Sequence, residues 1–262
     1  MKSLYESLLD DFEDIEKAQN FEEVILDYIN KYYDRIDRSK LDIKMDDKNG
    51  IYLLSYDGHI GVKSKNGGAR SLTNGLFKWD TIKRGFDCSY CDNLTSLKGA
   101  PKICKNFNCS DCPNLTSLKG APKEVSEDFN CSYCDNLTSL EGAPEEIDGD
   151  FYCTHNQKLT SLKGAPKKVG GDFYCFRCPS LTSLKGAPKE VGNDFNCYYC
   201  EKLTSLKGAP EKVGRDFNCS ECRKLKTFKD SPKECENFIA VYCGTKDKTG
   251  IGKVHNIIRL NN

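Results

Sequence analysis

Cysteine is the residue type with the most chemistry to offer in this chain. Sixteen of the 262 residues are cysteine. Six Cys-x-x-Cys pairs stand out: Cys88/Cys91, Cys109/Cys112, Cys131/Cys134, Cys175/Cys178, Cys197/Cys200 and Cys219/Cys222. Neighbouring pairs are separated by 17 or 18 residues, a spacing at which two pairs can hold one zinc ion through four thiolates. A zinc-stabilised array of this kind would bind nucleic acid.

The exceptions point to a different use. One unit reads Cys153-Thr-His-Asn156, with Asn at the second Cys position. The last reads Phe238-Ile-Ala240-Val-Tyr-Cys243, with Ala at the first. Cys104 and Cys235 occupy a column otherwise filled by Val125, Ile147, Val169, Val191 and Val213. A residue exchanged for Ala, Val and Ile is behaving as a small buried hydrophobe. The preferred reading is therefore a thiol core with no metal and no cofactor, and the zinc array is its alternative. The start, Met-Lys-Ser-Leu-Tyr-Glu-Ser-Leu-Leu-Asp-Asp, lacks an apolar signal region, and no 18-residue apolar run suggests a membrane span. The expectation is a cytoplasmic protein whose thiols stay reduced.

What positions the cysteines is a repeat. Phe86, Phe107, Phe129, Phe151, Phe173, Phe195 and Phe217 follow each other at 21 and then 22 residues, and Leu97, Leu118, Leu140, Leu162, Leu184 and Leu206 keep step. A fixed period of this length means stacked units sharing one core. The unit is Phe-x-Cys-x-x-Cys-x-x-Leu-x-x-Leu-x-Gly-Ala-Pro-x-x-Val. Phe and Cys two apart face one side of a strand, and Gly-Ala-Pro interrupts regular structure.

On these residues the chain resembles the leucine-rich repeat family. Phe129, Cys131, Cys134 and Leu137 match its Leu-x-x-Leu-x-Leu-x-x-Asn/Cys-x-x-Leu pattern, with Phe and Cys where Leu is usual. Leu-Thr-Ser-Leu-Lys-Gly-Ala-Pro-Lys-Glu-Val is similar to the return segment of short bacterial effector repeats. The resemblance implies a mainly β repeat solenoid with one parallel sheet on its concave face, binding proteins or peptides there.

The expected organisation is a helical N-terminal cap over 1–36, a transitional hairpin and loop over 37–71, the solenoid over 72–243 and a C-terminal cap over 244–262. Ser3 with Glu6, and Asn20 with Glu23, form capping-box patterns. Leu4, Leu8, Phe12 and Ile15 give the first helix its apolar spacing. Phe21, Val24, Ile25, Tyr28, Ile29 and Tyr32 give the second helix an apolar face. Ile51 to Val62 suggests a hairpin turning at Asp57-Gly58, and Lys65 to Arg70 a loop. Ser71-Leu72-Thr73 opens a degenerate unit, with Ile82 at its Val position and Trp79, the only Trp, packed at the junction with the cap. The tail is expected to carry one strand, Asn256-Ile-Ile-Arg-Leu260.

Lys plus Arg and Asp plus Glu each total 39, so no net field favours nucleic acid. Charges are sorted by column: Lys98, Lys119, Lys163, Lys185, Lys207 and Lys229 in one, Lys102, Lys123, Lys167, Lys189 and Lys233 in another. Asp128, Asp150, Asp172, Asp194 and Asp216 precede each Phe as a turn-capping ladder. The remaining strand positions are expected on the concave side. There Tyr133, Tyr152, His155, Tyr174, Phe176, Arg177, Tyr198 and Tyr199 gather, in a composition suited to protein recognition.

No Ser/His/Asp set, phosphate-cradling loop or carboxylate pair emerges, and the three histidines, His59, His155 and His255, have no nucleophile at a matching spacing. The expectation is a non-enzymatic solenoid binding an unidentified protein or peptide. The alternatives are the zinc array and a structural component of a larger assembly. The near-identical units suggest recent duplication, in the style of recognition proteins encoded by viruses or mobile elements.

Overall fold

The computed structural model describes residues 21–34, 36–46, 48–64, 69–73, 75–245 and 249–258. The expected first helix with its Ser3/Glu6 box, residues 65–68 of the expected loop, and Arg259 and Leu260 lie outside the described residues.

The chain is a β-solenoid of about nine turns at about 22-residue spacing, with a parallel sheet and one helix near the N-terminus. That helix, α1 (Phe21–Tyr32), is followed by β1 (Leu41–Asp46), β2 (Ile51–Tyr56), β3 (Ile60–Gly61), β4 (Phe77–Asp87) and β5 (Ile103–Asn108). Each central turn then contributes two short strands. One set is β6, β8, β10, β12 and β14 (Glu124–Val125, Glu146–Ile147, Lys168–Val169, Glu190–Val191, Lys212–Val213). The other is β7, β9, β11, β13 and β15 (Phe129–Asn130, Phe151–Tyr152, Phe173–Tyr174, Phe195–Asn196, Asp216–Asn218). β16 (Glu234–Ile239) and β17 (Lys253–Ile258) complete the sheet.

The sequence suggested one strand per unit, at Phe-x-Cys. The structure has two ladders, and the strand at Phe is only two residues long. The spacing of Val and Phe explains the break. Cys104 and Phe107, like Cys235 and Phe238, are three apart, and there one six-residue strand runs through both columns. Val125 and Phe129 are four apart, as in every 22-residue turn. The extra residue acts as a bulge and splits the strand in two. β4 passes from one pattern to the other through a register shift between Ile82 and Gly85.

Six columns fill the core: Phe, two Cys, two Leu and Val or Ile. The Phe rings from Phe86 to Phe238 form one continuous stack. Successive centroids from Phe107 to Phe217 lie 5.2 to 5.3 Å apart, within the range favoured by offset aromatic pairs. The glycine of each Gly-Ala-Pro turns the chain with positive φ, from 87° at Gly164 to 104° at Gly142. That conformation disfavours a Cβ.

The N-terminal end is closed by α1, whose Val24, Ile25, Tyr28 and Ile29 are buried. Phe21, expected on the same face, is 56% exposed. Trp79 is fully buried and donates its indole N–H to the Tyr33 hydroxyl at 3.0 Å, which in turn donates to the Leu72 carbonyl at 2.6 Å. The junction role expected of Trp79 is therefore observed.

The expected hairpin is displaced. β1 and β2 form the antiparallel pair, from Leu41 opposite Tyr56 to Asp46 opposite Ile51. Their turn is held by the Asp46 carboxylate, which accepts the Lys48 N–H and the Asn49 side-chain amide. Gly50 there has a φ of 63°. Asp57-Gly58 instead interrupts the strand of the first turn, because β2 and β3 both run parallel to β4. At the other end, β17 continues the stack in register, Ile257 beside Phe238 and Val254 beside Cys235.

Candidate functional site

After each two-residue strand the chain makes a tight turn through x-Cys-x-x-Cys. Asn108, Asn130 and Asn218 accept the backbone N–H two residues on, at 3.1, 3.0 and 2.9 Å, as Asx turns. Two residues after the first Cys the backbone enters the left-handed region: Tyr90, Asp111, Tyr133, His155, Arg177, Tyr199, Glu221 and Tyr242 all have φ between 53° and 58°. For a residue with a Cβ this costs about 1 kcal/mol. The repeated turn therefore lifts one side chain per coil into a ridge. The sequence placed this column on a strand; the structure places it in a turn.

The column after the first Cys behaves differently. Ser89, Ser110, Ser132, Thr154 and Ser220 are buried, between 5% and 8% exposed. Phe176 and Tyr198, in the same column, are too large to sink between coils and remain half-buried.

The eight expected site residues fall into two groups. Tyr133 stacks on His155 with ring centroids 4.3 Å apart and planes 12° apart. His155 meets the edge of Phe176 at 5.5 Å, Phe176 meets Tyr174 at 6.0 Å, and Tyr174 stacks on Tyr152 at 5.2 Å. In the second group, the Arg177 guanidinium lies 6.0 Å from the centroid of the Tyr199 ring, and Tyr199 tilts against Tyr198 at 5.8 Å. An open groove of about 530 Å³, lined by His155, Gln157, Arg177, Pro179, Tyr199 and Glu201, runs between the groups.

Two of the tyrosines are anchored. Tyr152 and Tyr174 donate their hydroxyls to Asp150 and Asp172, each at 2.7 Å. Burial, and then the bonded carboxylate, push both phenols above their ordinary range. Burial and the neighbouring Arg177 hold His155 below its ordinary value. The exposed aromatic area belongs instead to the ridge: Tyr133 is 46% and Tyr199 37% exposed. Tyr90 and Tyr242, also exposed on the ridge, fell outside the expected set because it covered only the four coils from Tyr133 to Tyr199. The left-handed column itself would have identified them.

The carboxylates form the ladder the sequence suggested. Asp150, Asp172, Asp194 and Asp216 each donate a backbone N–H to the Oδ1 of the Asp one coil earlier, at 2.9, 2.7, 2.8 and 3.1 Å. Asn106 accepts from Asp128 at one end, and Asn237 donates to Asp216 at the other.

The thiols form a second ladder. Cys112, Cys134, Cys178, Cys200 and Cys222 donate to the carbonyl of the first Cys in the preceding coil's pair, at 3.2 to 3.3 Å. Asn156 takes the same place through its side-chain amide, 3.1 Å from the Cys131 carbonyl. All sixteen cysteines are free. Burial drives Cys104 up to about 12 and Cys91 up to about 11. Among the described residues, no group of three or more His, Cys, Asp or Glu side chains is arranged to hold a metal. No described helix is long and apolar enough to cross a membrane.

This geometry defines a mainly β repeat solenoid with a ridge of outward-facing turn residues. The chain matches no protein-family model, no curated protein and no solved structure.

Proposed function

We propose that this protein is a non-enzymatic, leucine-rich-repeat-like solenoid of the cytoplasm that binds a protein or peptide on its aromatic, concave face. The observation that carries the reading is the contact chain from Tyr133 through His155, Phe176 and Tyr174 to Tyr152, with Arg177 and Tyr199 beside it. The same columns hold Asn108, Asn218, Ser110 and Ser220 in the flanking coils, so the aromatics are not needed to build a coil. Rigid aromatics next to an Arg are the groups that dominate protein interfaces. Stacking between coils supplies a solenoid's core without help from this surface.

The test is to isolate a partner by affinity capture, purify it, and titrate it into wild-type protein and a Tyr174→Ser/Tyr198→Ser variant by calorimetry. The expected result is an intact fold and binding weakened by about 2 kcal/mol or more. Lys163→Ala/Lys185→Ala should leave binding unchanged. If the lysine variant loses binding and the tyrosine variant keeps it, the partner sits on another face.

A further inference from the structure

We propose that the segment bound on this face is an acidic polypeptide. It would run from Arg177 across Tyr199 onto a basic edge formed by Lys202, Lys224 and Lys226. The inference rests on the reading of the aromatic ridge as the binding face, and it adds the partner's chemistry.

The first observation is the state of Arg177. Its guanidinium is exposed, stacked over Tyr199, and makes no ion pair among the described residues. Arg223, two coils on, is held by Glu221 through both Nε and Nη2, at 3.1 and 2.9 Å. Arg177 thus keeps its carboxylate-binding fork open at the centre of the groove, and such a fork matches a carboxylate with two parallel hydrogen bonds. His155, the other basic group lining this groove, is kept uncharged at neutral pH by burial and by Arg177, which leaves Arg177 as the cation there.

The second observation is a change in composition along the stack. The position two residues after the second Cys column is Asn93, Asn114 and Asn136 in three early coils, Lys158 and Ser180 in the next two, and Lys202 and Lys224 in two late ones. The next exposed column is threonine from Thr95 to Thr204 and then becomes Lys226. The Lys226 N–H donates to the Thr204 carbonyl at 3.3 Å, which sets this lysine beside the preceding coil's threonine. Lys202, Lys224 and Lys226 are exposed and make no ion pair among the described residues. Some lysines elsewhere are neutralised, as Lys163 is by Glu141, Lys167 by Glu145 and Lys233 by Glu211, whereas others such as Lys119 and Lys185 make no ion pair among the described residues. Lys158, in the coil of His155, is bonded only to the Asn136 side-chain oxygen. Unpaired lysines therefore border the aromatic groove on both sides, one in these two columns on the His155 side and three on the Tyr199 side. A second depression of about 210 Å³, lined by Tyr199, Glu201, Glu221, Arg223 and Lys224, joins the groove to the three.

That depression also argues for a polypeptide over a nucleic acid. Glu201 and Glu221 line it together with Tyr199 and Lys224, and Glu221 is ion-paired with Arg223. Glu201, unpaired among the described residues, would repel a phosphodiester backbone, yet it can accept backbone N–H groups from a peptide whose side-chain carboxylates reach the lysines and Arg177. A nucleic-acid groove instead combines aromatics with uninterrupted positive charge.

The test uses the full chain and a fluorescein-labelled random copolymer of glutamate and tyrosine. Polylysine and single-stranded oligothymidylate serve as comparison probes, and anisotropy is read at about 50 mM and about 200 mM salt. The copolymer should bind, more weakly at high salt, and polylysine and oligothymidylate should not. Lys202→Glu/Lys224→Glu/Lys226→Glu should weaken copolymer binding about tenfold or more, with the Gln triple variant intermediate. Arg177→Gln should weaken it as well, and Lys98→Glu/Lys119→Glu, at the other end of the stack, should not. Tighter binding of oligothymidylate, or charge reversal without effect, overturns the inference. Loss of copolymer binding in Tyr174→Ser/Tyr198→Ser alone leaves the aromatic face standing and removes the acidic partner. No binding of the copolymer by wild type overturns the inference, while the calorimetric test of the aromatic face stays independent.

Discussion

The side-chain oxygen of Asn156 accepts the backbone N–H of Cys134, one coil earlier, at 2.7 Å. The amide nitrogen of Asn156 meanwhile donates to the carbonyls of Cys131 and Cys153, at 3.1 and 3.0 Å. One Asn thus does the work of a thiol and adds two bonds, in a site with no measurable exposure. Asn156→Cys should therefore be tolerated, with a loss of at most about 1 kcal/mol, because the neighbouring coils use a thiol there. Asn156→Val should lose about 3 kcal/mol, since buried backbone groups would be left without partners. Urea denaturation of the two variants measures the difference.

Asp194 tests the carboxylate ladder. Burial raises its pKa, and the carboxylates of Asp172 and Asp216 raise it further, against the Asp216 N–H that lowers it. A raised value in the fold means the charge opposes folding at neutral pH, and that penalty vanishes as pH falls through the folded pKa. Asp194→Asn keeps the oxygen that accepts from Asp216 and should be at least as stable as wild type at pH 7. Its advantage should shrink on acidification towards the ordinary carboxylate value of 3.8. Asp194→Ala loses the acceptor and should cost about 1 kcal/mol. Thermal unfolding across pH separates the three proteins.

Gly192 has an ordinary φ, yet a Cβ there would collide with the Gly170 carbonyl, and one at Gly214 would collide with that of Gly192. Gly192→Ala should therefore cost about 3 kcal/mol through forced separation of adjacent coils. Ser126→Ala, in the same column of an early coil, should be nearly neutral. Melting temperatures of both variants decide it.

His155 should titrate below its ordinary value of 6.5, mainly through burial and secondly through Arg177. Because the neutral form is favoured in the fold, this site stabilises the protein above pH 6.5 and loses that contribution as pH falls. Arg177→Gln should move the midpoint part of the way back up. A histidine titration followed by NMR gives both midpoints.

The cysteines should be reduced, free of metal and slow to react. Fifteen are buried and Cys243 is half-buried, so an aromatic disulfide reagent should modify Cys243 first and the rest at the rate of unfolding. About one zinc per two coils on elemental analysis would overturn the thiol-core reading. Cys175→Ala should cost about 1 kcal/mol, and Cys175→Asp far more, because an unpaired charge would enter the core.

The period, the core columns and the place of Trp79 were legible because each repeats or stands alone in composition. Cysteine's exchange for Asn156, Ala240 and Val125 is itself the mark of a buried position. The second ladder was not legible, since it turns on whether Val and Phe are three or four residues apart, a difference of one residue in 22. The hairpin was misplaced because Asp57-Gly58 is the stronger local turn signal, while the Asp46 carboxylate and Gly50 build the actual one. For the site, the aromatic cluster could be read from the columns. That Tyr133 and Tyr199 rise from left-handed turns, while Ser132 sinks between coils, is decided by backbone geometry that hydrophobic pattern does not encode.

Both side-chain ladders point one way. Each second-column thiol from Cys112 onward bonds back to the coil before it, and each Asp N–H from Asp150 onward reaches back to the previous Asp. A coil leaving the ribosome therefore meets acceptors that are already in place, and assembly can proceed vectorially, starting from the end that α1 and Trp79 close. Truncation from the C-terminal side at coil boundaries should therefore leave the earlier coils folded, as circular dichroism of the shortened chains would measure. Removing residues 1–36 takes away the surface on which the first turn is laid down, and leaves the growing stack with nothing to start from.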